Sequence, residues 1–230
     1  MIIDTNHPAY QMKYRAMWHG RYNGAYYYSK EIGQFIIPNI KTDRNWVTIN
    51  VPPFAADHSI VFIHNNRFPS RYEWLSQYKD LILVCGVPET CELVKHLGKT
   101  IYLPLPIDID YVKSFRCEKD KDTCYAGRGK KFAPYNLDGD PICDVPREDM
   151  LRRMAHYKKV YAVGRTAIEV KLLGCEVLPY DERFPSVDIW KALPYEGAVR
   201  LLQRAIDDIE DGADHINCTE YDFYKSFLVQ

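Results

Sequence analysis

The sequence predicts an α/β fold built on parallel sheets. Short apolar runs with the composition of buried strands, such as DLILVCG (Asp80–Gly86), alternate with helical segments such as PETCELVKHLG. This alternation is the signature of parallel strands joined by helices that cover both faces of a sheet. The clearest unit is KKVYAVGRTAIEVKLLGCEVLPY (Lys158–Tyr180), which has the pattern of a strand, a glycine turn, a short helix, a glycine stop and a second strand.

A turn at Asn23-Gly24 and a helix to about Gly33 are predicted first, and the stretch from Trp46 to Pro104 then contributes four predicted strands and two predicted helices. The strands are Trp46–Val51, Ser59–Asn65, Asp80–Gly86 and a run within KTIYLPLPID that ends at Pro104. Pro69 opens a helix through Tyr78, in which Tyr72, Leu75 and Tyr78 recur at a spacing of three. The second helix begins at Pro88 and ends at Gly98, the residue types expected at its start and its stop.

The second half begins with a charged crossing, RCEKDKD (Arg116–Asp122), and we expect the division between two lobes to lie between Ile107 and Asp122. A strand follows from Thr123, and a helix is predicted over PREDMLRRMAHY. Phe132–Val145, with two prolines and no periodicity, is predicted to be a mobile loop that orders over a ligand. The last helix carries an inward stripe of Ala198, Leu201, Leu202, Ala205, Ile206 and Ile209.

Composition narrows the classes of function. The chain has 230 residues, 47% of them hydrophobic, and 30 basic against 31 acidic side chains give a net charge of −1. Such a balance argues against a broadly basic surface that coats DNA. The 18 tyrosines favour either an aromatic-lined cleft for bases or sugars or a tyrosine-rich core.

The seven cysteines form no CxxC pair. Their odd number, together with the absence of an apolar leader, leads us to expect reduced thiols and a cytoplasmic location. His215 and Cys218 have HxxC spacing, but no second pair matches them, so we expect no metal site. No run approaches the roughly 18 apolar residues of a membrane span.

The Lys158–Tyr180 segment also carries the strongest functional pattern. Gly164 permits a sharp turn, and Thr166 lies where the start of a helix presents backbone N–H groups and a hydroxyl to a phosphate. Glu169, one turn later, is placed to reach outward and accept two hydrogen bonds from a ribose diol. Each residue also has a purely structural interpretation, since Thr166 is an ordinary helix-start residue and Glu169 complements the helix dipole.

The residues Gly164-Arg165-Thr166-Ala167-Ile168-Glu169, followed by Leu172, Leu173, Gly174 and Val177, resemble the donor-binding half of GT-B glycosyltransferases. The resemblance covers about Leu81–Asp207. It implies two Rossmann-like lobes with mainly parallel sheets, namely an acceptor-side lobe over 1–106 and a nucleotide-sugar-binding lobe over 107–230. The first lobe is short for this family, and the second glutamate of the family's paired pattern has no clear match.

The resemblance also assigns roles in the proposed donor site. Gly164, Arg165, Thr166 and Glu169 would hold the nucleotide, and Arg128 and Lys131, in the basic turn after YAG, would bind the diphosphate. The donor would be a nucleotide sugar, with no required cofactor or metal. The acceptor is unidentified: a glycan, a small molecule or a modified DNA base. An enzyme of this kind fits a bacteriophage or a bacterium.

A general base is expected at the carboxyl end of a strand in the first lobe. His64 closes the run IVFIHNN there, and the pKa of an imidazole suits proton removal from a hydroxyl. A structural histidine at the end of a strand is the other interpretation, and Asp4 and His19 are further candidates. For the chain as a whole, a non-catalytic nucleotide or nucleotide-sugar binding module is the alternative to a glycosyltransferase.

Overall fold

The computed structural model describes most of the chain, and it divides into two compact units. The first unit contains Ala25–Ile107 and the residues from Leu193 onward, and the second contains Asp108–Ala192. The residues that the structure describes are 24–48, 57–63, 69–126, 139–143, 145–179, 187–189 and 191–227.

The helices and strands alternate along the described chain. The strands are β1 (Asn45–Val47), β2 (Ser59–Ile63), β3 (Leu81–Cys85), β4 (Lys99–Tyr102), β5 (Leu105–Pro106), β6 (Lys121–Ala126), β7 (Asp140–Ile142), β8 (Tyr157–Tyr161), β9 (Glu176–Leu178), β10 (Ala192–Leu193) and β11 (His215–Asn217). The α-helices are α1 (Gly24–Glu31), α2 (Pro88–Val94), α3 (Ile109–Lys113), α4 (Arg147–Met154), α5 (Arg165–Leu172) and α6 (Tyr195–Glu210).

The first unit is built on a five-stranded parallel sheet in the order β1-β2-β3-β4-β11. Every residue of β2 and β3 is buried, because both faces of the sheet are covered. Ile60 and Phe62 pack on the side of α6, and Val61 and Leu83 pack on the opposite side, with α2. The predicted buried strand over Leu81–Val84 is confirmed, and so is the α/β class with mostly parallel sheets.

Helix α6 carries the predicted apolar stripe, and all six of its inward positions are buried.

The structure differs from the expected division of the chain, which assigned the whole of 107–230 to one lobe. The described residues from Leu193 onward belong to the first unit, where α6 completes the core over Ile60 and Phe62. The Ile107 N–H donates to the Leu193 carbonyl at 2.9 Å, which ties this segment to the end of the first stretch.

Charged residues lie at the amino edge of the same sheet, just before β1, β2 and β3. Arg44 is buried, and its guanidinium donates to Glu210 at 2.5 Å and to the Asp80 carboxylate at 3.0 Å. His58 lies between Asp80 and Asp43, at 2.5 and 3.1 Å. His58 and Asp80 adopt positive φ angles of 56° and 55°, so this network holds two residues in the left-handed region.

The second unit is built on a four-stranded parallel sheet in the order β7-β6-β8-β9. The chain passes from β6 to β7 on one side and then to β8 on the other, so the direction of winding reverses between β6 and β8. Ligands of open α/β sheets bind beyond the carboxyl ends of the strands at such a reversal. A ligand site in this unit is therefore expected beyond the carboxyl ends of β6 and β8.

Strand β7 corrects the predicted loop over Phe132–Val145, because Asp140–Ile142 pairs with β6 in parallel. Pro141 lies opposite Tyr125 in this pairing. A proline lacks the N–H that a central strand needs, but β7 is an edge strand and tolerates it. Residues 132–138 and 144 of that window lie outside the described part of the chain, so the predicted ordering over a ligand stays a prediction.

Candidate functional site

The turn after β8 has the backbone that the glycine pattern predicts. Gly164 has φ 61° and ψ −136°, a combination that L-amino acids with a Cβ atom rarely adopt. It directly precedes α5, and the Ile168 N–H donates to the Gly164 carbonyl at 3.3 Å. The turn therefore places the start of α5 at the carboxyl edge of the sheet, beside the reversal of winding.

The start of α5 presents backbone donors at this edge. No side chain caps the helix within the part of the chain that the structure describes, and its first turn holds no acidic residue. Thr166 is half-buried in this first turn. The unbonded N–H groups at the start of a helix and the helix dipole favour an anion.

Glu169 lies inside the unit rather than reaching outward. Glu169 is 1% exposed, and its Oε1 accepts hydrogen bonds from Arg147 Nε at 2.8 Å and Arg165 Nε at 3.1 Å. This differs from the expected outward-facing carboxylate. The physical reason is charge pairing: a buried carboxylate requires partners, and arginines at the starts of α4 and α5 provide them.

Arg147 is the residue of this cluster that sequence reasoning missed. It is the first residue of α4, its side chain is 12% exposed, and that of Arg165 is 10% exposed. A cation at the start of a helix opposes the helix dipole, so an arginine in the first position of both α4 and α5 indicates an interaction elsewhere. This shared anomaly is the signal in the sequence that points to a common partner.

An aromatic ring extends the cluster on α3. The Tyr111 ring centroid lies 5.8 Å from Arg147 Cζ and 5.1 Å from the Phe115 ring, and Arg152 lies over Phe115 at 5.4 Å. Asp108 caps α3 by accepting from the Tyr111 N–H at 2.9 Å. Partial burial, and next the charge of Glu148, raise the pKa of Tyr111, so its hydroxyl stays protonated at neutral pH.

The structure brings Gly164, Arg165, Thr166 and Glu169 together at one place and adds Arg147 and Tyr111 to them. Other predicted site residues lie outside the described residues, namely His64, Arg128 and Lys131, together with the alternative bases Asp4 and His19. Their roles therefore stay predictions.

The described residues contain no cluster of three or more His, Cys, Asp or Glu side chains that could hold a metal ion. Both members of the His215–Cys218 pair make other contacts. His215 Nδ1 lies 2.7 Å from the Thr100 hydroxyl, and the buried Cys218 thiol donates to the Leu201 carbonyl at 3.9 Å. None of the helices formed by the described residues is both long enough and apolar enough to cross a membrane.

No protein-family model, curated protein or solved structure matches the chain. The function of the chain is therefore inferred from its residues and their geometry.

Proposed function

We propose that the chain is a glycosyltransferase of GT-B type that transfers a sugar from a nucleotide-sugar donor, and that the second unit binds the donor. The observation that carries this proposal is the juxtaposition of the Gly164 turn and the start of α5 with the reversal between β6 and β8. This is the position at which open parallel sheets bind nucleotides.

The donor diphosphate lies at the start of α5 in this proposal. Backbone N–H groups and the helix dipole stabilise its charge, and the missing side chain of Gly164 allows close approach. Arg165 and the Thr166 hydroxyl contribute at the same helix start. Arg128 and Lys131, which the family resemblance assigns to the diphosphate, are further cations in this proposal.

The buried position of Glu169 changes the role that we assign to it. A carboxylate oxygen shared by two arginines fixes the direction of both guanidinium groups. We therefore assign Glu169 to the positioning of Arg147 and Arg165 around the donor. For a ribose hydroxyl to donate a hydrogen bond directly to this carboxylate, the buried side chain would have to become exposed.

The reaction in this proposal is a displacement at the anomeric carbon of the sugar. The acceptor oxygen forms the new bond as the bond to the nucleoside diphosphate breaks, and the negative charge that grows on the diphosphate is stabilised by the helix start and the cations. A base such as His64 takes the proton of the acceptor hydroxyl. The acceptor is a glycan, a small molecule or a modified DNA base.

Isothermal titration calorimetry with UDP, GDP, ADP, CDP and dTDP tests the binding step. We expect at least one of them to bind with a Kd in the micromolar range, which is about −8 kcal/mol. Incubation with the matching nucleotide sugar then tests the chemistry through release of the nucleoside diphosphate. Binding without release or transfer favours the non-catalytic module, and no binding by any of them contradicts both functions.

A further inference from the structure

In the described part of the second unit, the exposed aromatic side chain of Tyr111 lies next to the Glu169 cluster. Among the described residues, the large hydrophobic side chains that are exposed are Phe35, Leu93 and Tyr111, and only Tyr111 belongs to the second unit. Tyr111 is 37% exposed. An exposed ring beside a predicted ligand site is a candidate contact for a flat ligand group.

Direct contacts connect this ring with the start of α5. Arg147 Cζ lies over the Tyr111 ring, 5.8 Å from its centroid, so a base would stack on the other face of the ring, and Arg147 and Arg165 share Oε1 of Glu169. A nucleotide likewise has an aromatic base at one end and phosphates at the other, with a ribose between them. The ring is thus connected to the start of α5 through contacts of mostly buried side chains within the second unit.

The ring is also held in a fixed orientation. Phe115 meets it edge to face, with an interplanar angle of 81° and a centroid separation of 5.1 Å, and the Asp108 cap fixes the first turn of α3. A ring that is already ordered loses little conformational entropy when a ligand stacks on it. The electron-rich face of tyrosine suits stacking with any nucleobase, because every base has a π-face.

We propose that Tyr111 is the residue on which the nucleobase of the donor stacks while the diphosphate lies at the start of α5. This inference rests on the proposed function. It implies that the ligand class is the nucleoside diphosphate as a whole, and that the base adds affinity beyond that of the diphosphate alone.

Calorimetry on Tyr111→Leu and Tyr111→Phe tests the inference, with the full chain and the nucleoside diphosphate that binds the parent protein most tightly. The matched control is Phe35→Leu, which removes an equally exposed ring, 38% exposed, from the first unit. Inorganic pyrophosphate is the probe without a base. Melting temperatures show that each variant is folded. Tyr111→Phe keeps the ring and removes only the hydroxyl, so it separates the effect of stacking from that of the hydroxyl.

We expect Tyr111→Leu to weaken nucleoside diphosphate binding by roughly 5- to 100-fold, the range for the loss of one base–aromatic stack. Tyr111→Phe and Phe35→Leu bind within twofold of the parent, and pyrophosphate binding is unchanged in all variants. If Tyr111→Leu binds like the parent, the inference fails while the proposed function stands. Equal losses for pyrophosphate and nucleotide overturn stacking, since Tyr111 then acts through Arg147. A parent protein that binds no nucleoside diphosphate removes the proposed function and the inference together.

Discussion

Glu169 is held inside the second unit by charge rather than by apolar packing. Its carboxylate bridges Arg147 and Arg165, whose side chains are themselves mostly buried. Removing one member of such a cluster leaves like charges facing each other without compensation, which costs far more than the loss of an ion pair at the surface. Glu169 is therefore expected to stabilise the fold as well as to organise the site.

Glu169→Gln tests this double role. The substitution keeps the volume of the side chain but removes its charge, so we expect a loss of roughly 3 to 5 kcal/mol in the free energy of unfolding. Urea denaturation measures it. The control is Glu176→Gln on β9, where the side chain is exposed and a change within about 0.5 kcal/mol is expected. Equal stabilities of the two variants would contradict the assigned role.

His58 gives a second prediction, on the dependence of stability on pH. Its hydrogen bonds to Asp80, and next to Asp43, raise its pKa above the ordinary value. A raised pKa in the folded state stabilises the fold fully below the unfolded value, about 6.5, and this contribution is lost as the pH rises through the folded pKa.

Comparing the parent with His58→Asn tests whether the contribution of His58 to stability falls as the pH rises. Asparagine is a suitable replacement because it tolerates the positive φ at this position. We expect the difference in unfolding free energy between them to be largest near pH 6 and to shrink toward pH 9. The hydrogen bond from His58 helps to keep the pKa of Asp43 and Asp80 low. Any loss of stability at acidic pH, where these carboxylates become protonated, is therefore a separate effect. A difference that is flat from pH 6 to pH 9 counts against a charged His58.

Helix α6 lies far along the chain from β1–β4 of the sheet that it covers, yet it supplies much of the core of the first unit. Leu201 and Leu202 are fully buried in the cluster that contains Phe62 and Ile82. The spacing of the apolar residues predicts the buried stripe of α6, but this spacing does not indicate which sheet the helix covers. That choice depends on which sheet face is left uncovered after the other helices have packed.

Leu201→Ala is expected to destabilise the protein by roughly 2 to 5 kcal/mol, because the cavity that it leaves adds to the lost transfer energy. Arg204→Ala on the exposed side of the same helix removes an ion pair with Asp208 at 2.9 Å, and we expect it to cost less than about 1 kcal/mol. Guanidinium denaturation of both variants measures the contrast. Similar losses would mean that α6 does not pack on the first sheet as described.

The predicted helix over Pro69–Tyr78 is confirmed, and the spacing of its apolar residues agrees with the type of helix that forms. Tyr72, Leu75 and Tyr78 recur every three residues, and the segment forms a 3₁₀ helix over Pro69–Gln77 rather than an α-helix. A 3₁₀ helix has 3.0 residues per turn, so a spacing of exactly three fits it better than the 3.6 of an α-helix. Tyr72 and Leu75 are buried, as the pattern requires.

At the scale of the whole molecule, two parallel sheets of five and four strands contain most of the described strands, and their central strands could be predicted from the apolar runs in the sequence. The edge strands β1 and β9 overlap predicted strands. The other two edge strands could not be predicted, because β7 contains Pro141 and β11 is three residues long with a partly exposed pattern. Such strands form because a neighbouring strand offers unpaired backbone groups, which no local pattern reports. The same limit applies to the site, where Gly164 follows from the local turn but the Arg147–Glu169 pair depends on the packing of α4 beside α5.

The central claim is that a nucleoside diphosphate binds at the Gly164 turn, and two alanine substitutions test it most directly. Gly164→Ala adds a Cβ atom where φ is 61°, at the proposed phosphate position. Gly174→Ala adds one at φ 76°, at the other end of α5, where no atom lies within 4 Å of the new group. Both substitutions strain the backbone by roughly 1 to 3 kcal/mol.

Calorimetric titration of both variants with the nucleoside diphosphate that binds the parent gives the decisive comparison. We expect Gly164→Ala to weaken binding by about tenfold or more, equivalent to at least about 1.4 kcal/mol, and Gly174→Ala to bind within twofold of the parent. Affinity that is unchanged in Gly164→Ala, or equally reduced in both variants, would contradict a donor site at this turn.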